Sequence, residues 1–96
     1  MENEAIITGY KILRAMGNLH RLHILYVLWK QEMSVGEMEG HIQLSQSALS
    51  QHLAVLRHAG LVKTRRQAQT IYYSIKNAVV LNILNLLDKY YNQHYD

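Results

Sequence analysis

Runs of apolar residues at helical spacing, with two runs of period-two alternation set between the fourth and fifth, predict a mainly α chain carrying one β-hairpin. At 96 residues the chain makes a single domain spanning 1–96, with a modest core to which dimerisation would add useful burial. A hydrophobic share of 49% argues against disorder, and the absence of cysteine excludes disulfides, thiolate metal sites and thiol redox chemistry.

The first helix is predicted over residues from about 4 to 16, with Ala5, Ile6, Gly9, Tyr10, Ile12, Leu13 and Met16 on one side and Lys11 and Arg14 on the other. It ends near Gly17. Asn18 then caps a second helix from Leu19 to about Lys30, whose apolar residues (Leu19, Leu22, Ile24, Leu25, Tyr26, Val27, Leu28, Trp29) run around most of the circumference, so burial on nearly every side is expected. Ser34-Val35-Gly36-Glu37 matches a capping box and opens a short third helix over about 35–41 that carries Met38 inward. Ile42-Gln43-Leu44 is a tight connection.

Ser45 to Gly60 reads as a helix of about four turns, with Ser45 as N-cap and Gly60 in the positive-φ position beyond its end. Gln46, Ser47, Ser50, Gln51, Ala54, Arg57 and His58 fall on one arc of it; Ala48, Leu49, Leu53, Val55, Leu56 and Ala59 fall on the other, interrupted by His52. The first arc carries no acid. Short hydroxyls reach phosphates and base edges, Gln can pair in bidentate fashion with adenine, and a small central Ala54 permits close approach to a groove floor, so this face reads as a DNA recognition helix. Short helix, brief turn and capped second helix make a helix-turn-helix.

Beyond Gly60, residues 61–66 and 70–75 are β-like runs joined by Gln67-Ala68-Gln69, a hairpin that would form a wing with Arg65, Arg66, Gln67 and Gln69 toward its tip and Lys63 on its flank. Ala68 is a poor fit if the turn needs positive φ. The charge balance agrees: residues 41–76 hold Arg57, Lys63, Arg65, Arg66 and Lys76 and no acid, so the positive field of a chain whose net charge is +3 lies in its middle third. A last helix is predicted from about Asn77 to Tyr91. Its apolar face is too wide for one small domain to cover, so Val80, Ile83, Leu84, Leu87 and Tyr91, with Ile6, Tyr10 and Leu13 of the first helix, are the expected contacts of a homodimer. The tail after Asn92 is expected to be loose.

The runs 32–37, 44–53, 60–62 and 68–75 resemble the ArsR/SmtB family of bacterial winged-helix repressors, and most closely its HlyU/BigR/SqrR branch, whose members respond to reactive sulfur through a pair of cysteines. The resemblance implies a winged helix-turn-helix of order α-α-α-α-β-β-α. It also implies DNA contacts by Gln46, Ser47, Ser50 and Gln51 with Arg65, Arg66 and Gln67 in the wing, and a homodimer held by the first and last helices. The family's sensor residues do not carry over. Ser34-Val35-Gly36 stands where arsenic- and lead-sensing members have Cys-x-Cys; Asn77, Val79, Tyr90 and Gln93 stand at the zinc positions; and Tyr26 and Asn92 stand at the two sulfur-sensing cysteines.

Other groups yield secondary candidates. His20 and His23, spaced i,i+3, could share a metal ion if a third ligand such as His94 joined them, although lone helical histidines beside Arg21 are more often ordinary surface groups, and no metal or other cofactor is expected. Tyr10, Tyr26, Tyr90, Tyr91 and Asn92 form a candidate effector region, the alternative being simple packing. No phosphate loop, thiol or Ser beside a base suggests an enzyme. An acidic start and no apolar run of membrane-spanning length point to the cytoplasm. The expected partner is an operator in double-stranded DNA built as an imperfect inverted repeat, with the effector unassigned. A protein-interaction module without DNA binding and a His-based metal-sensing repressor are the alternatives.

Overall fold

The computed structural model describes residues 1–92 in the order α1 (Asn3–Met16), α2 (Leu19–Lys30), β1 (Met33–Ser34), α3 (Val35–Glu39), α4 (Gln46–His58), β2 (Val62–Gln67), β3 (Thr70–Ile75) and α5 (Ala78–Leu87), followed by a π-helical turn, Asp88–Asn92. Local capping chemistry sets most of these boundaries. Asn18 Oδ1 accepts from the His20 and Arg21 amides, and the Ser34–Glu37 box closes in both directions. Ser45 Oγ accepts from the Ala48 amide at 3.1 Å, the kind of cap whose loss costs about 1 kcal/mol. At the far end of α4, Gly60 takes φ +78° while its amide reaches the Arg57 carbonyl and the Leu61 amide reaches that of Leu56. This paired closure is a Schellman motif, and it turns the chain into β2.

The core gathers under α2, which packs against α1, α4, α5 and β3 through Ile24, Leu25 and Leu28. Met38, Leu49, Leu53, Leu56, Leu61 and Val80 complete it from the other elements. The hairpin β2–β3 pairs Val62 with Ile75 through to Gln67 with Thr70, leaving a two-residue turn whose first member, Ala68, sits at φ 55°. The turn therefore does require the conformation that alanine resists.

Four expectations change. α2 is less enclosed than its composition suggests: Leu19 is 79% exposed and Tyr26 46%, because the packing elements cover one side of it and leave the other open. The third helix stops at Glu39, and the residues before it form β1, an edge strand pairing Met33 with Tyr73 and Ser34 with Tyr72. Two residues are too few to show alternation, and Ser34 already serves as a cap. The last α-helix ends at Leu87 rather than near Tyr91, continuing as the π turn. Finally, Val80 and Leu84 are not available to a second copy: both lie in the protomer's own core, since the i,i+4 stripe they form faces inward.

Candidate nucleic-acid interface

α4 is held to the core by Leu49, Leu53 and Leu56, each fully buried, and this fixes the direction of its opposite side. Gln46, Ser47, Ser50, Gln51, Ala54, Arg57 and His58 are all exposed there, as the helical spacing requires. Among the described residues none of these side chains has an intramolecular hydrogen-bond or ionic partner, so their donors and acceptors are free for another molecule. His52, between the two arcs, is partly buried with its ring centroid 5.5 Å from that of His20. Desolvation, followed by the positive charge of Arg21 and the neighbouring His20, holds its pKa below the ordinary histidine value.

The wing is organised differently. Arg65 Nε donates to both carboxylate oxygens of Glu32 at 3.0 Å, its Nη1 donates to Gln67 Oε1 at 2.9 Å, and its guanidinium carbon lies 4.6 Å from the Tyr72 ring centroid. Arg65 and Gln67 are therefore engaged within the protomer, while Lys63 is exposed on the Glu32 side of the wing, close enough for its charge to act on that carboxylate without forming an ion pair, and Arg66 is exposed with no acidic partner among the described residues. The ion pair holds the Glu32 carboxyl below its usual range, mainly through the hydrogen bond from Arg65, and raises Arg65 in turn. Chain order hides this pairing. The stretch 41–76 contains no acid, but Glu32 precedes β1, and β1 lies against β3, which brings a carboxylate to the wing.

Most of the apolar residues left open lie on α1 and on α5 with the turn after it. Ile6, Tyr10 and Leu13 are each more than half exposed on α1; on α5 and the turn after it Val79, Leu86, Leu87, Tyr90 and Tyr91 are exposed and Ile83 is partly covered. Val80 and Leu84, named as expected contacts, are buried within the protomer, whereas Val79 and Leu86, which belong to the same apolar face by sequence but were not among the named contacts, are exposed. Their signal was present in the spacing 79, 83, 86, 90, a second apolar stripe beside the buried one.

The candidate effector residues divide. Asn92 Nδ2 donates to the Tyr26 hydroxyl at 3.0 Å and to Asp88 Oδ1 at 2.6 Å, and Tyr26, Tyr91 and Asn92 line a cavity of about 260 Å³ with Leu22, Leu84, Leu87 and Asp88. Tyr10 lies on a different cleft, and Tyr90 stands beside Lys89 rather than in the cavity. Of the metal candidates, His20 faces His52, and no group of three or more potential ligands occurs among the described residues; His94 and Gln93 lie outside them. No helix among the described residues is long and apolar enough to cross a membrane.

A capped polar helix presented by a helix-turn-helix, followed by a basic two-stranded wing, defines a winged-helix DNA-binding regulator. The comparison with known proteins gives the family. Residues 20–64 match the model described as "Bacterial regulatory protein, arsR family". Transcriptional activator HlyU of Vibrio cholerae is 50% identical over 85% of this chain and 76% of its own length, and nodulation protein NolR of Rhizobium meliloti is 50% identical over 99% of this chain and 76% of its own. The solved structure of HlyU from Vibrio cholerae superposes with a TM-score of 0.88 at 46% identity, covering 95% of this chain and 98% of that one. The chain belongs to the arsR family of bacterial regulatory proteins and is a DNA-binding transcriptional regulator, not an enzyme.

Proposed function

We propose that the protein acts in the cytoplasm as a homodimeric repressor, occupying an inverted-repeat operator with two α4 helices in successive major grooves about 34 Å apart. The observation that carries this reading is the outer face of α4, where Gln46, Ser47, Ser50 and Gln51 are exposed, lack internal partners and have no acid among them. Those residues read bases, Arg57 and His58 continue the face toward phosphates, and the wing adds sequence-independent attraction through Lys63 and Arg66. Arg65 and Gln67 contribute to the wing by fixing its shape against Glu32, and reach DNA only if that pair opens. The second copy is held by Ile6, Tyr10 and Leu13 of α1 against Ile83, Leu87 and Tyr91, with Val79 and Leu86 added.

The region of Tyr26 and Asn92 is a brace between α2 and the π turn, and two groups without sulfur cannot run a dithiol couple there. Fluorescence anisotropy on random and selected duplexes at two salt concentrations tests the reading. Binding that weakens steeply with salt, at a stoichiometry of two chains per selected site, is expected. Indifference to duplexes at low salt, or a monomer at micromolar concentration, overturns it.

A further inference from the structure

We infer that the cleft between α1 and the second half of α4 is a binding site for a small organic anion with an apolar body, such as a medium-chain carboxylate. The cleft has a volume of about 780 Å³, inside the range of roughly 300–1,000 Å³ usual for small-molecule sites. Its walls combine two kinds of surface. Ala15, Ala54, Val55 and Ala59 supply the apolar part, and Lys11, Arg14 and Arg21 the cationic part, with no carboxylate among the lining residues.

Val55 is the telling residue. It falls on the apolar arc of α4, which should be buried, yet it is 44% exposed because α1 stands away from this part of the helix. A DNA backbone would satisfy the cations and leave Val55 wet; an aliphatic chain ending in a carboxylate would cover both. Two of the cations are also prearranged. Arg21 Nε donates to the Ala15 carbonyl at 2.6 Å and its Nη2 to that of Arg14 at 3.4 Å, while Arg14 Nη1 donates to the Tyr10 hydroxyl at 3.2 Å. Among the described residues none of the three has an ionic partner. The two arginines are held by neutral acceptors, which orders them without neutralising them, so an incoming anion meets prearranged positive charge, to which Lys11 adds from α1.

Ala54 and His58 belong both to this cleft and to the outer face of α4. An occupant would therefore lie against the proposed DNA-reading surface and weaken duplex binding. That second step rests on the proposed function; occupancy itself does not.

The test is titration of the full chain with octanoate, and separately with the uncharged octanamide, followed by amide NMR shifts without DNA and by anisotropy with a selected duplex. Octanoate should perturb residues 10–15 and 54–59, and octanamide should bind at least about tenfold more weakly, as loss of charge-assisted hydrogen bonds implies. Lys11→Gln with Arg14→Gln should weaken octanoate by about tenfold, and so should Val55→Asp, a change at an exposed position that leaves the fold intact by circular dichroism. No perturbation by octanoate, or equal binding of octanamide, overturns the assignment. So does a drop in duplex affinity in the double variant without any octanoate binding, which would make these cations phosphate contacts. If octanoate binds and no duplex does, the DNA reading fails and the cleft stands.

Discussion

α4 and α5 are built alike and finish differently. Each opens on a side-chain cap, Ser45 for α4 and Asn77 for α5, and each sinks a stripe at i,i+3 or i,i+4 spacing into the same core. What they leave outside contrasts. α4 exposes amides and hydroxyls on its outer face, with Val55 its one exposed large apolar side chain, whereas α5 exposes Val79, Leu86 and Leu87 at 49%, 55% and 37%. The buried stripes explain stability in both. The uncovered faces tell the helices apart, since an acid-free polar face suits a polyanion and an open apolar face suits another copy of itself.

The strongest way to break this contrast is to give α5 the wrong kind of outer face. Leu86→Glu should weaken self-association by about 100-fold or more by burying an unpaired carboxylate at the proposed seam, with the protomer's circular dichroism unchanged. Sedimentation measures it; an intact dimer would remove α5 from the interface. Leu84→Ala, one helical step inward, should instead cost about 2–5 kcal/mol of folding stability, because that side chain fills the core. On α4 the matching change is Gln51→Ala, expected to relax base preference by roughly 1–3 kcal/mol at one operator position while leaving random-duplex affinity almost untouched. Equal losses on all sequences would reassign Gln51 to the backbone.

The seam between reading face and core is sensitive to pH through His52. Its native pKa is lowered by desolvation first and then by Arg21 and His20, so the unfolded chain takes up the proton more readily. Stability should be complete above the ordinary histidine pKa and fall as pH drops through it toward the lower native value. Thermal melts at about pH 7.5 and about pH 5.5 should show the loss in the wild type and a flatter response in His52→Gln. An unchanged midpoint would show that the imidazole is freely solvated.

The wing supplies a subtler contrast between two adjacent arginines. Arg66→Ala should flatten the dependence of log K on log salt by about one unit, and Arg65→Ala by less, because Glu32 already balances Arg65. Glu32→Gln should release Arg65 and steepen the slope by up to about one unit. If Arg65 and Arg66 behave identically, the ion pair does not persist in the complex.

Local chemistry explains which parts of this molecule could be read in advance. The caps at Asn18, Ser34 and Ser45 and the positive-φ glycine at position 60 act within a few residues, so the chain order displays them directly. The polar arc of α4 followed from its period. Three things depended on neighbours distant in sequence. Glu32 reaches Arg65 only through β1, a strand of two residues; Val80 and Leu84 turn inward because of how α5 meets α2; and the Tyr26–Asn92 contact joins residues 66 apart. A wide apolar face shows that something will cover it, without showing which half the protomer covers itself.

The smallest effect expected is at the two positive-φ positions that bracket β2, and there alanine and glycine exchange roles. Gly60 occupies φ +78° with open space where a Cβ would be, so Gly60→Ala costs only the backbone strain of the left-handed region, partly offset by the stiffer unfolded chain, a net loss of about 0.5 kcal/mol. Ala68 carries a similar strain at φ 55° in the hairpin turn. Ala68→Gly relieves it, but the unfolded chain also becomes freer by about 0.4–1 kcal/mol, so the net gain should be about 0.5 kcal/mol. For a chain of this size that is a rise of roughly 2–4 °C in the melting midpoint. A fall in the midpoint would mean that the wing turns through some other conformation.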